Sequence, residues 1–437
     1  MTKRIYISQE STYKEAVAKN YLQDKRLTTK ELDFGIAIPN SKQKGGIYDS
    51  NSLKLVATMD RENQKQNIYL DKNYKITNKS DESVIFGGQS YTAFGHLLLE
   101  GLSRLWYIIA NPQDKRKIIY IKCGDWGEKI GTQTKLYEFF QLLGVDKNRI
   151  VIIEKPTKFK HITIPEVSIY CWRSLLYGNY IYTKEYPLIY NYFAQKANEL
   201  YIEGQKFDKI YLSHSKWEHR AEQHFLNENI YEGFFKNRGY EIIYPEEYSV
   251  TQIAYLMNNA KEVATTMGSS SHLALFCKEN TRFIILTRDC NTQPPLMPQC
   301  LINQAMKLDW FIINANNNYL PSFDQNTGWG VVNFVFTNDF KEFCKDYFGD
   351  DFSDEFLQQV DDLAYFKAWT QFYSNPHLFK TILANLTPFD FVNKMSEVFF
   401  GVTLDKNDFA ENISNTHKKR KEKWHKRLWR HLKTMKF

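Results

Sequence analysis

Asp208-Lys-Ile-Tyr-Leu-Ser213 is a short apolar run that reads as a β-strand, and a polar loop follows it as far as Arg220. A helical stretch with Asn227-Glu228 comes next, then a second β run, Glu241-Ile-Ile-Tyr244. Val250 to Asn259 has helical spacing and leads into Lys261-Glu-Val-Ala-Thr265. The chain then meets Met267-Gly-Ser-Ser-Ser-His272, a turn of small residues that opens another helix. A strand, a Gly/Ser turn and a helix in that order present bare backbone N–H groups, the geometry that suits a phosphate. This half of the chain is therefore expected to be an α/β unit that handles a nucleotide.

The same alternation extends to the other half. Leu53–Met59, Ile68–Leu70, Ser83–Phe86, Lys117–Lys122, Arg149–Ile153 and Val167–Tyr170 read as strands. Leu97–Ile109 and Lys135–Leu143 carry apolar residues at helical spacing, and Lys184 to Glu203 reads as a long connecting helix. Two β/α blocks of similar size predict an α/β protein with two doubly wound, Rossmann-like domains facing a cleft. The expected division is an irregular lead-in over 1–50, one Rossmann-like domain over 51–200 and a second over 205–345. A helical, aromatic-rich segment over 346–402 would pack back on the first domain, and 403–437 would form a linker and tail.

The 437 residues suffice for two such cores. Six cysteines are scattered without a Cys-x-x-Cys pair, which predicts free thiols rather than a zinc site or a disulfide framework. The first ten residues lack the apolar stretch of a signal peptide, and no run of about 18 apolar residues exists to span a bilayer. The expectation is a cytoplasmic protein. The last 20 residues hold ten Lys/Arg against one Glu, which exceeds the whole chain's net charge of +7. The basic excess is thus a property of the tail. In that tail Trp424, Leu428 and Leu432 recur every four residues among basic ones, the pattern of a helix lying on an anionic bilayer. A solvated tail or a nucleic-acid-binding arm is the competing reading.

Three clusters carry candidate chemistry. In the first, Gly87-Gly88 ends a strand and Gly95-His96 opens an apolar helix. Glu100 follows one turn later and Arg104 one turn beyond that. A carboxylate beside a histidine fixes its tautomer and raises its basicity, as a general base requires; a core histidine satisfied by a carbonyl fits the same spacing. In the second, Ser213 and His214 end a strand, Arg220 could grip a phosphate, and Glu228 could orient Arg220 or be solvated. In the third, Gly268, Ser269, Ser270, Ser271 and His272 form the phosphate-type turn, although Gly-Ser helix starts are also common simple caps. No Asp-x-Asp follows an apolar strand, which disfavours a metal-bound nucleotide-sugar site of that type, and no Walker-type glycine loop is present.

Taken together the clusters resemble glycosyltransferase family 61, a group of bacterial capsular and surface polysaccharide enzymes. Gly95-His96-Leu-Leu-Leu-Glu100 with Arg104-Leu-Trp106 looks like the family's first signature. Tyr211-Leu-Ser213, Arg220, Asn227-Glu228, Gln252-Ile253 and Ala260 look like its second, and Gly268-Ser-Ser with Leu273 to Phe276 its third. The resemblance implies a GT-B fold and inverting transfer, without metal or cofactor, from a nucleotide sugar, with a UDP-sugar the expected donor. His96 supported by Glu100 would be the base, with Gly95 and Arg104 on the acceptor side. Ser213, His214, Arg220, Glu228 and residues 268–272 would hold the donor. One position departs from the pattern: His214 stands where the family usually has arginine. The implied acceptor is a glycan or lipid-linked glycan at the inner face of the bacterial cytoplasmic membrane, reached through residues 417–437, and no nucleic acid is expected. A non-catalytic scaffold acting through its basic tail is the alternative.

Overall fold

The computed structural model describes residues 4–7, 11–39, 45–58, 68–91, 93–122, 131–173, 178–201, 204–216, 223–288, 296–317, 330–350 and 368. Most of the expected segment over 346–402, the tail and Arg220 lie outside the described residues. The protein is mixed α/β, with two large sheets.

The second half of the chain builds a wholly parallel sheet. Its strands in chain order are Lys209–Leu212, Glu241–Ile243, Glu262–Thr266, Arg282–Leu286 and Asp309–Ile313. In space the second strand lies at one edge, followed by the first, third, fourth and fifth. The order therefore reverses between the first and third strands. Runs such as Phe283-Ile-Ile-Leu286 are apolar throughout because both faces of the sheet are covered. Glu228–Lys236 and Asn338–Phe348 pack on one face with Tyr211, Ala264, Ile284 and Phe311. Val250–Asn259, the short 3₁₀ turn Ser271–Phe276 and Leu296–Ala305 cover the other. Val250–Asn259 starts at a capping box: Ser249 Oγ accepts from the Gln252 N–H at 3.2 Å, and Gln252 Oε1 accepts from the Ser249 N–H at 2.9 Å. Its buried Val250, Ile253, Ala254 and Met257 form the expected helical stripe.

The first half builds an eight-stranded sheet that departs from the expected doubly wound form. Thr157–Pro165, Asn78–Ser90, Lys117–Lys122 and Ile150–Ile153 run parallel. Thr29–Asp33, Ile36–Ile38, Gly46–Tyr48 and Leu55–Thr58 add antiparallel strands at one side. Among the described residues no helix separates these four segments, and their short connections favour antiparallel pairing. Residues 1–50 are thus no irregular lead-in. Their first strand, Ile5–Tyr6, crosses to the other sheet and pairs in parallel with Asp309–Ile313.

One continuous core joins the helical layers of both sheets. It runs from Ile85 and Leu97–Leu99 through Phe139, Tyr190 and Phe193 to Ile253, Phe276 and Ile285. The connecting helix, Glu185–Leu200, packs on Val250–Asn259 and on Ser271–Phe276, so the first and third candidate clusters are fixed to the same scaffold. Cys277, Cys300 and Cys344 are buried free thiols. No helix among the described residues is long and apolar enough to cross a membrane.

Candidate active site

The segment expected as one helix over Leu97–Ile109 is broken. Phe94–His96 is a single α-turn, Leu97–Gly101 is a π-turn, and the regular helix resumes at Leu105–Ala110. A π-turn carries one extra residue per turn and recurs at functional sites. Across it, His96 Nδ1 lies 3.1 Å from Glu100 Oε2. The Glu100 side chain is 1% exposed and that of His96 is 40% exposed. The carboxylate is therefore buried and the imidazole reaches solvent beyond it. With the carboxylate accepting from the Nδ1–H, the neutral ring carries its lone pair on Nε2. Tyr91 flanks the ring at 5.6 Å between centroids. Behind Glu100 lie Tyr186 and Tyr190, whose hydroxyls are pushed far up, first by burial and also by the charge of Glu100. Tyr190 donates to the carbonyl of Leu98 inside the π-turn.

Arg104 does not join this group. Its guanidinium is buried, donates through Nε to Pro165 O at 2.9 Å and faces the Phe86 ring at 4.7 Å. It ties the turn to the first sheet, and the break in the helix is the reason it leaves the face of His96.

The Gly268 turn meets the first cluster directly. A Cβ on Gly95 would sit 2.8 Å from Ser269 Oγ and 3.2 Å from His272 Nδ1, so any side chain there would force Ser269 to move. His272 is held down to about 4 by burial, with the nearby charge of His96 adding to the effect, and is neutral at pH 7. Ser270 and Ser271 point inward. Ser270 Oγ lies 3.0 Å from Thr265 Oγ1, and Ser271 Oγ bonds Gln299 Oε1 at 2.7 Å and the Gly268 carbonyl at 2.8 Å. Their hydroxyls hold the turn in shape. Ser271–Phe276 is a six-residue 3₁₀ turn where the opening of an α-helix was expected.

The second cluster sits at the reversal of strand order in the parallel sheet, the position where ligands bind in such sheets. Glu228, buried, receives the backbone N–H of His214 at 3.1 Å and the hydroxyl of Tyr211 at 3.3 Å. His214 Nδ1 is 3.0 Å from Thr266 Oγ1 and 3.7 Å from Glu228 Oε1. Ser213 is buried and donates to Glu232 at 2.6 Å. Lys216 pairs with Glu247 at 3.2 Å and lies 3.7 Å above the Tyr244 ring, away from His214's partners.

Two residues escaped the reading of the sequence. Thr266 ends the third strand and bonds His214, two residues beyond the first. Arg288 follows the fourth strand, and its guanidinium lies against Gly268. Both stand at carboxyl ends of parallel strands, a signal available once the strand boundaries are known.

The family model described as Glycosyltransferase 61 matches residues 94–284, from the turn that carries His96 into the fourth strand of the parallel sheet. No curated protein matches the chain. The matched segment contains His96–Glu100, His214–Glu228 and the Gly268 turn, and over it the chain is similar to glycosyltransferase family 61.

Proposed function

We propose that this glycosyltransferase transfers a sugar with inversion and without a metal, from a nucleotide-sugar donor to a growing bacterial surface glycan. The observation that carries the proposal is the junction at Gly95. There an exposed histidine backed by a buried carboxylate sits one missing Cβ from the Gly268 turn at the ligand end of a parallel sheet. A base and a phosphate-type turn at that separation suit one reaction centre.

In the proposed reaction the acceptor hydroxyl loses its proton to His96 Nε2 as its oxygen bonds the anomeric carbon from the face opposite the leaving group. Glu100 holds the ring and balances the imidazolium that forms. A GT-B arrangement, with the parallel sheet carrying the donor, is part of the same reading. So is attachment through residues 417–437 to the inner face of the bacterial cytoplasmic membrane, which the basic amphipathic pattern supports.

The test is to incubate the protein with UDP-, GDP- and CMP-sugars, following thermal stabilisation and release of free nucleotide. Bound donor raises the melting temperature by mass action. One donor should stabilise the fold and be consumed slowly, and transfer to a glycan should give a product of inverted anomeric configuration by NMR coupling. Absence of stabilisation and turnover with every donor contradicts the proposal. Retained configuration contradicts the inverting mechanism.

A further inference from the structure

Arg288 occupies a place in this site that neither the sequence motifs nor the matched family segment includes. It stands two residues beyond Arg282–Leu286, at the carboxyl end of the parallel sheet. The backbone there is pinned. Thr287 N–H donates to Ile313 O at 2.8 Å, and Asn316 Nδ2 donates to the Thr287 carbonyl at 2.9 Å. The guanidinium lies over Gly268: a Cβ at that glycine would be 3.1 Å from both Cζ and Nη2. Gly268 has φ +148°, which L side chains rarely adopt, so glycine both permits the turn and leaves the guanidinium its space. Phe225 flanks the other group of contacts, its ring 5.6 Å from Cζ. The next residue of the turn, Ser269, makes the close approach to Gly95, beside His96. The positive charge of Arg288 also contributes to keeping His272 neutral.

We infer that Arg288 is the catalytic cation of the site, holding the diphosphate of the donor and neutralising the charge it gains on departure. The inference rests on the transferase reading above. In the transfer, a bond forms between the acceptor oxygen and the anomeric carbon while the bond from that carbon to the β-phosphate oxygen breaks. The bonding pair leaves with the nucleoside diphosphate, and the acceptor proton goes to His96. The leaving group therefore gains one negative charge on oxygens that a guanidinium fork can meet with two parallel N–H donors. A cation fixed before the reaction lowers the barrier more than one that must be recruited from solvent. Gly268 sets its position and Ser269 links that position to the base.

The experiment compares wild type, Arg288→Ala, Arg288→Lys and Gly268→Ala in the full chain. The probes are UDP, GDP, inorganic pyrophosphate and the free nucleosides, titrated by calorimetry, together with kcat and KM for the donor identified above. Arg288→Ala should lower kcat about 10²- to 10³-fold, the scale of losing one preorganised charge-stabilising donor. It should abolish pyrophosphate binding and leave nucleoside binding unchanged. Arg288→Lys keeps the charge without the fork and should recover only part of the rate, so it decides the matter if the alanine variant fails to fold. Gly268→Ala displaces the guanidinium without removing charge and should weaken pyrophosphate binding with nucleoside binding retained. Pyrophosphate affinity and kcat within threefold of wild type in both Arg288 variants overturn the inference. A wild-type chain that binds no diphosphate and consumes no donor overturns the transferase reading itself, and with it the role of Arg288.

Discussion

Two histidines in this molecule sit beside a buried glutamate, and the two pairs are built for different work. His96 and Glu100 are four residues apart across a π-turn, 3.1 Å from each other, with the ring 40% exposed. His214 and Glu228 come from a strand end and the following helix, 3.7 Å apart, with the histidine side chain 9% exposed. In the second pair Glu228 is occupied by the His214 backbone and the Tyr211 hydroxyl, while the imidazole bonds Thr266. The carboxylate of the first pair serves an imidazole that faces outward. That of the second fastens a loop to a sheet. A His–Glu pair alone does not identify a base; the exposure of the remaining ring nitrogen decides whether it can take a proton from a substrate.

The largest expected effect separates the pairs by stability. Glu228→Ala leaves the buried Tyr211 hydroxyl and the part-buried His214 N–H without their acceptor, at about 1–3 kcal/mol each, so a loss of roughly 4 kcal/mol is expected in denaturant unfolding. A loss below about 1 kcal/mol would mean that this pair does not hold the loop.

The next effect concerns His272, which lies against Gly95 beside the exposed pair. An unfolded chain protonates this imidazole near 6.5, whereas the folded one resists until about 4. Between those values the unfolded state binds the extra proton. The contribution is therefore complete above about pH 6.5 and is lost as the pH falls toward 4, by up to about 3 kcal/mol. His272→Gln should flatten that part of the stability profile. Identical slopes in the two proteins would remove His272 from this role.

Glu100→Gln tests the first pair as a catalytic unit. It keeps a hydrogen-bond acceptor but removes the charge that balances an imidazolium. Turnover should fall roughly 10- to 100-fold, less than the 10²–10⁴ of proton transfer itself, with the melting temperature little changed. The reverse pattern, stability lost and turnover kept, would make the two pairs alike. The smallest effect is Tyr211→Phe, which removes one hydrogen bond to Glu228 and should cost about 1 kcal/mol without changing turnover.

The parallel sheet was legible because its strands are buried on both faces and each is followed by a small-residue loop or a capped helix, as at Ser249-Val-Thr-Gln252. The first sheet was less so. Thr157–Pro165 alternates Lys158, Lys160 and Ile162 with Phe159, His161 and Thr163, and its polar half hid a central strand. Thr29–Asp33 reads as polar because only Leu32 of its five residues is buried. In the site, His96–Glu100 followed from helical spacing, although the π-turn that breaks the helix, and the burial of Arg104 against Pro165 and Phe86, did not. The serines of the Gly268 turn resembled donor ligands because composition does not distinguish a hydroxyl aimed at a phosphate from one aimed at Gln299. Arg288 was invisible because its partner Gly268 is 20 residues away in sequence and adjacent only through the sheet.

The most direct test of the central claim is transfer by His96→Ala measured beside its affinity for the donor. The account predicts that turnover falls by 10²–10⁴ while donor affinity stays within a few-fold of wild type, because the base acts only on the acceptor proton. Near-normal turnover in that variant would contradict it.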